Sequence, residues 1–276
     1  MRISNRRLPA RCLVALAAIT ALVLPTEAGQ AQTQAGAQAR VDRATVEGKT
    51  FAAYEYWWYP IDFVDHFIDP LSSQWEVEGN GDARTQHGML TLMSTRQGSI
   101  GVTLRGHDRA RGRWEIRLRG NRFEAGHSNF TVAAELIPAD TGAQRCGAQN
   151  IGFASFRPAV DTSTGFHIRT LPDLQFTSVQ QQMNLTNNYW HTYAVQVSSK
   201  RIAWFVDGVA RAVENRPEAL SGIPLTLRLQ LQAVPDKTMN LSRLQVDTVR
   251  YFTLKTPSKK PVRGGLPEAG TYADAC

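Results

Sequence analysis

Short segments in which apolar and polar residues alternate recur along this chain, the period-two pattern of half-buried strands. The pattern is clear in Gly88–Ser94, Gly112–Arg119, Asn129–Ile137, Thr192–Ser198, Arg201–Val206 and Leu225–Leu231. Successive strand residues point to opposite faces, so Trp114, Ile116 and Leu118 share one face of their segment. Arg113, Glu115, Arg117 and Arg119 share the other, and Glu115 is expected to face solvent. Asp207-Gly208, between two β-rich runs, predicts a two-residue hairpin. No stretch sustains a 3.6-residue period between helix caps. Many closely spaced strands without helices predict an all-β fold, a two-sheet antiparallel sandwich or jelly roll, as one domain over residues 51–254.

The N-terminus departs from this pattern. Arg2, Arg6, Arg7 and Arg11 precede an apolar run from Leu13 to Leu24, and small residues follow at Ala28 and Ala31. That order is the order of a secretory signal, and the run is short for a membrane span of about 20 residues. Residues 1–31 are therefore expected to be removed and the mature protein secreted, with no membrane span. Residues 32–50, rich in Gln, Ala and Gly, are expected to form a flexible lead-in. Of the 31 basic and 24 acidic residues, the first 31 positions hold four Arg and one Glu, which leaves 27 and 23 and a net charge of +4. The remaining excess gathers at Lys255, Lys259, Lys260 and Arg263, in a Pro/Gly/Lys-rich tail over 255–276. The tail has no interleaved aromatics for base stacking. It is expected to be solvated, and nucleic acid is not an expected partner.

Cleavage also removes Cys12 and leaves Cys146 and Cys276. An exported chain meets an oxidising compartment, so these two are expected to pair. Closing a loop of about 130 residues stabilises by roughly 4–5 kcal/mol in the chain-entropy model.

Several strings together resemble glycoside hydrolase family 16, the β-1,3/β-1,4-glucanase group. Phe63-Val-Asp-His-Phe-Ile-Asp69 followed by Trp75 is similar to the family's opening strand. Gly112-Arg-Trp-Glu-Ile-Arg-Leu118 resembles its "GRYEVRMK" segment. Trp190-His-Thr-Tyr-Ala-Val195 and Ile202-Ala-Trp-Phe-Val-Asp-Gly208 resemble its "FHTYAIEW…ITWYVDG" pair, and Asp247-Thr-Val-Arg-Tyr-Phe252 its closing "VDYVRVY" strand. The resemblance covers roughly residues 60 to 254 in order. It implies a concanavalin-A-like jelly roll whose concave sheet holds a polysaccharide in an open cleft. It also implies a catalytic strand reading E-x-D-x-x-E or E-x-D-x-E, with the first Glu as nucleophile and the last as general acid/base. A retaining glycosidase needs two carboxyls about 5–5.5 Å apart, one ionised and one protonated. Spacings of two and four put them on one face of a strand. The six-residue form, with its odd separation of five, requires a bulge.

Asn150-Ile-Gly-Phe-Ala-Ser155 is the matching strand. Asn150 stands at the nucleophile position, Gly152 at the Asp position and Ser155 at the acid/base position; without the bulge the last becomes Ala154. Residues 141–160 contain no Asp or Glu at all. An amide cannot ionise to attack an anomeric carbon, and a Ser hydroxyl is no acid near neutrality. The usual hydrolytic carboxylates are thus absent from the strand that should carry them, and whether the protein is an enzyme is left open by its sequence.

Two arrangements fit the resemblance. In the first, a non-hydrolytic relative binds a β-glucan-like extracellular polysaccharide in a neutral cleft, with Asn150, Ser155, Gln149 and Gln144 meeting sugar hydroxyls and at least one of Trp75, Trp114 and Trp204 lining it. In the second, a divergent hydrolase or transglycosylase uses relocated carboxylates, of which Glu135 is the catalytic candidate. Glu135 interrupts the apolar strand Val132–Ile137, where a charge needs a partner or a cleft. Its other reading is an exposed face or an ion pair with Arg113 or Arg117. A surface scaffold or adhesion protein is a third option. The cluster Tyr54-Glu-Tyr-Trp-Trp-Tyr59 is read as an N-terminal strand packing on the sandwich, with a sugar-stacking platform as the alternative. The six His are scattered, with no HExxH, so no catalytic metal or other cofactor is expected. A structural Ca²⁺ held by backbone carbonyls would leave no trace in the sequence. The chain is expected to act as a monomer.

Overall fold

The computed structural model describes residues 50–144 and 147–273. The expected export segment, nearly all of the expected lead-in, Cys146 and Cys276 lie outside the described residues. A short helix, α1 (Ala52–Tyr56), opens the described chain. Sixteen strands follow among the described residues: β1 (Ile61–Asp65), β2 (Trp75–Gly79), β3 (Gly81–Thr85), β4 (Leu90–Ser94), β5 (Ile100–Leu104), β6 (Gly112–Arg122), β7 (Thr131–Pro138), β8 (Ile151–Phe156), β9 (Thr164–Thr170), β10 (Leu174–Gln180), β11 (His191–Val197), β12 (Ile202–Val206), β13 (Val209–Glu214), β14 (Leu225–Gln232), β15 (Ser242–Phe252) and β16 (Glu268–Thr271).

They form two antiparallel sheets. Sheet A runs β13-β12-β11-β6-β15-β4-β3, with β1 also paired to β15; sheet B runs β16-β10-β9-β8-β7-β14-β5-β2. Every alternating segment read from the sequence is a strand. The apolar set of each faces a shared core that includes Trp114, Ile116 and Leu118 from sheet A, and Val132, Leu136, Phe153, Phe166 and Leu229 from sheet B. Burying side chains of this size contributes about 1.5–3 kcal/mol each, and the interlocked inner faces fix the register of both sheets. The hairpin forms where expected: Val206 pairs with Val209 across Asp207 and Gly208, both at positive φ (48° and 75°), the type I′ geometry whose twist matches the strands. Asp207 is used a second time, accepting from the Thr192 amide at 2.9 Å and contacting His191 Nδ1 at 2.7 Å.

Three expectations change. The aromatic cluster is α1 and the turn after it, not a strand: Tyr56 and Trp58 pack edge-to-face on Phe205 across the outer face of sheet A. That helix covers Glu115, which is wholly buried and not solvent-facing. The Glu115 carboxylate meets Arg250 at 2.6 Å and accepts from the Ala53 amide at 3.2 Å. Alternation assigned its face correctly but could not show that a helix lies on that face. The basic tail, expected to be solvated, is a strap. Lys260 pairs with Glu55, Lys259 sits 3.5 Å from the Trp57 ring centroid, Val262 is buried, and β16 pairs with β10 at the edge of sheet B. No helix among the described residues is long and apolar enough to cross a membrane.

Candidate functional site

The candidate site is the outer face of sheet B, where β8 lies between β7 and β9. Val132 pairs with Phe156, Ala133 with Ser155 and Ala134 with Ala154, but Glu135 pairs with Gly152. Phe153 is therefore an extra residue, a β-bulge, and both Phe153 and Ala154 turn into the core. The bulge puts Asn150, Gly152 and Ser155 on one outward face, as the six-residue pattern requires. This strand carries Asn, Gly and Ser on that outward face.

Cross-strand pairing extends this face into a row. Thr177 (β10) pairs with His167 (β9), His167 with Gly152 (β8) and Gly152 with Glu135 (β7). Glu135 pairs in turn with Arg228 (β14), Arg228 with Thr103 (β5) and Thr103 with Glu76 (β2). Gly152 is what lets the middle of this row close. A β-carbon there would stand 2.3 Å from Cε1 and 2.4 Å from Nδ1 of His167. The imidazole lies over the bare backbone and brings Nε2 to 3.7 Å from Glu135 Oε1. On the other side Arg228 donates to Glu135 Oε2 at 2.8 Å. Glu135, 8% exposed, thus finds its partner in Arg228. Arg113 and Arg117, the partners considered from sequence, lie in sheet A. Burial, with Arg169 adding to it against the pull of Glu135, holds the His167 imidazole below its ordinary value of 6.5. His167 is neutral at pH 7.

A second row beside the first is made of small and amide side chains. Ala133 pairs with Ser155 and with Gln230, and Gln230 with Gly101, while Ser155 flanks Gly165. Ser155, Gly165, Gln230 and Gln232 are half-exposed, so this side of the face is open. Toward the other end the face is covered. Asn150 is 3% exposed, and its Oδ1 has no hydrogen-bond partner among the described residues. Gln149 is half-buried at φ 61°, and Gln144 donates to the Pro138 carbonyl at 2.8 Å.

The two tryptophans expected to line the cleft are in the core, Trp114 at 1% and Trp204 at 0% exposure. Both belong to the apolar set of their strands, and the inner faces of the two sheets bury that set. Trp75 is also buried, its Nε1 donating to Asp65 at 2.8 Å. Trp204 still serves the site from beneath. Its indole N–H donates to the Gly152 carbonyl at 3.0 Å, and its ring stacks on Phe166. It anchors the bulged strand at the residue under His167. Nor is the face neutral. Outward positions of β7–β10 and β14 carry Glu135, His167, Arg169 and Arg228. Sequence reading had passed over the last three, although alternation in Thr164–Thr170 and Leu225–Gln232 places them outward. Among the described residues no group of three or more His, Cys, Asp or Glu side chains is placed to hold a metal.

A two-carboxylate mechanism needs a partner for Glu135. Glu76 is three strands away in its row, and Glu268, paired with Thr177, is four strands away. At about 4.8 Å per strand these are roughly 14 and 19 Å, beyond the ~5.5 Å of retaining and the ~9.5 Å of inverting enzymes. Glu76 is also engaged by Arg105.

No family model matches this sequence, and no curated protein is similar to it in sequence. Solved structures are similar in fold. A laminarinase from Flavobacterium sp. UMI-01 is 12% identical with a TM-score of 0.58, over 70% of this chain and 100% of that one. A laminarinase from Rhodothermus marinus is 17% identical with a TM-score of 0.56, over 70% and 96%. A non-specific endo-β-1,3(4)-glucanase of glycoside hydrolase family 16 is 17% identical with a TM-score of 0.57, over 71% and 95%. The chain therefore has the jelly-roll fold of these laminarinases and of the family-16 glucanase.

Proposed function

We propose that this is an exported carbohydrate-binding protein that holds an extracellular β-linked polysaccharide along the outer face of sheet B without cleaving it. The observation that carries the reading is the Glu135 row. One carboxylate stands at its centre, fastened to Arg228, and the nearest others in the row are three and four strands away. The bulge, the open row of Ala133, Ser155, Gly165 and Gln230, and the orphaned Asn150 Oδ1 supply a long polar surface with unfilled hydrogen-bonding capacity. The structurally similar family-16 glucanase was crystallised with a β-glucan oligosaccharide at its active site, and the same sheet would hold the glycan here. Export follows from the Arg-rich, apolar N-terminus.

A second reading is favoured by one contact, the 3.7 Å approach of His167 to Glu135: a divergent hydrolase built on Glu135. Co-sedimentation with insoluble β-1,3-glucan tests the first reading. Retention is expected, weakened several-fold in Q230A/Q232A. A protein retained by no glycan would overturn it and leave a surface scaffold as the better account.

A further inference from the structure

The charge of the outer face of sheet B narrows the ligand, on the reading that this face is where glycan binds. Across β7–β10 and β14 the outward charged residues are two guanidiniums, Arg169 and Arg228, and one carboxylate, Glu135. Arg228 and Glu135 satisfy each other at 2.8 Å. Among the described residues no carboxylate pairs with Arg169. Its Nε donates to the neutral Gln175 Oε1 at 3.0 Å, and its guanidinium carbon lies 5.2 Å from the Tyr272 ring centroid. Those contacts orient the group and leave its charge without a carboxylate partner among the described residues.

Around this cation the face also lacks hydrogen-bond partners. The Arg169 amide donates to the Asn150 carbonyl at 2.9 Å, so Asn150 sits beside Arg169. The Asn150 side chain, more than nine-tenths buried, has an unpaired Oδ1. His167 Nε2, two residues along β9 from Arg169 and on the same face, lies 3.7 Å from Glu135 Oε1 and has no hydrogen-bond partner among the described residues. Buried polar atoms in native proteins are paired in roughly nine cases of ten or more, so orphans gathered around a guanidinium without a carboxylate partner point to an absent ligand. Gly147 packs closely beside them: a β-carbon there would stand 2.8 Å from an Arg169 terminal nitrogen and 3.5 Å from Asn150 Nδ2. A guanidinium offers a planar fork of donors to an oxyanion, while the Asn carbonyl oxygen and the imidazole nitrogen suit hydroxyls on the same ring.

We propose that Arg169, with Asn150 and His167 beside it, forms a subsite for a sugar residue bearing an anionic group, so that the glycan held here is acidic and not a neutral glucan. Carboxylate and sulfate share the required chemistry. The guanidinium takes the oxyanion, and the adjacent acceptors take hydroxyl protons.

The test compares three polymers on one backbone: unmodified, carboxymethylated and sulfated β-1,3-glucan, with polyphosphate as an unrelated polyanion. The full mature protein is expected to bind one or both anionic glucans at least tenfold more tightly than the unmodified polymer and than polyphosphate, and the better of the two identifies the group. R169Q is expected to remove that preference, so that the anionic glucans bind it no more tightly than the unmodified polymer does. Q175E, isosteric and half-exposed, gives Arg169 a carboxylate partner without removing it and is expected to reduce the preference similarly, which covers the case in which R169Q fails to fold. Equal binding of neutral and anionic glucans, equal binding of polyphosphate, or a preference that survives Q175E overturns the subsite and leaves the glycan-binding reading standing. Binding of none of the glucans overturns that reading itself.

Discussion

The imidazole of His167 occupies the space above Gly152 that a β-carbon would take, at 2.3 Å from the ring. Glycine here is a steric requirement of its cross-strand neighbour, and the two residues should be energetically coupled. Gly152→Ala must displace the ring or the strand, and overpacking of this kind costs about 1–3 kcal/mol. Shortening the neighbour in the same molecule, as in G152A/H167A, should relieve most of that cost. Urea unfolding of the four members of the cycle measures the coupling. Strictly additive effects would contradict the contact.

Arg228 and Glu135 make the next prediction. Removing Arg228 as Arg228→Met leaves a buried carboxylate without its partner, and such losses cost about 3 kcal/mol or more. Glu135→Gln leaves a half-exposed guanidinium that water can reach, and should cost about 1 kcal/mol. The double variant should be more stable than R228M alone. Equal destabilisation by the two single changes would show that the pair does not hold the row together.

Two histidines give stability opposite pH dependences. Burial lowers the His191 pKa, but Asp207 and the Asn184 carbonyl raise it more, so the net shift is upward from 6.5. A raised folded pKa stabilises fully below the unfolded value of 6.5, and that contribution disappears as pH rises through the folded value. His167 is shifted downward, so its contribution is present above 6.5 and is lost as pH falls through its folded value. Unfolding free energies between pH 5 and 8.5 should therefore fall less at the acid end in H167Q than in the unaltered protein. H191Q should show its largest deficit below pH 6.5. The reverse assignment would contradict the contacts given to each ring.

A covalent staple is the fourth expectation. Cys146 and Cys276 lie outside the described residues, yet their flanks converge. Gly147 stands against Arg169, and Arg169 faces the Tyr272 ring. We propose that the two cysteines pair in the exported protein. The unreduced, denatured mature chain should take up no thiol reagent, and the reduced chain two equivalents. Two reactive thiols without reduction would contradict the pairing.

The strands were legible because period-two alternation is the direct imprint of a sheet with one buried face, and Asp207-Gly208 because few pairs tolerate two positive φ values. The bulge at Phe153 corresponds to one of the two registers that the resemblance left open, the one that ends at Ser155 and not at Ala154. Alternation sorts residues into two faces and does not say which face is inside. Trp114 and Trp204 were expected in the cleft and are in the core, and Glu115 was expected in water and lies under α1. His167, Arg169 and Arg228 were missed for a different reason. Each is an ordinary outward residue in its own segment, and only the pairing of β9, β8, β7 and β14, which joins positions 32 to 93 residues apart in the chain, brings them to the row of Glu135. The basic residues of the tail are exposed, as Lys and Pro suggested, while its apolar residues Val262 and Tyr272 dock.

The separation of Glu135 from the other carboxylates of its row is tested most directly by turnover. Purified mature protein at high concentration, incubated for days with neutral, carboxymethylated and sulfated β-1,3-glucans and with a mixed β-1,3/1,4-glucan, can be followed by reducing ends and by product mass. Unchanged polymer length, with protein still bound to the polymer, is the predicted result. Shortened chains whose production stops in E135Q would contradict it and assign the sheet to a hydrolase.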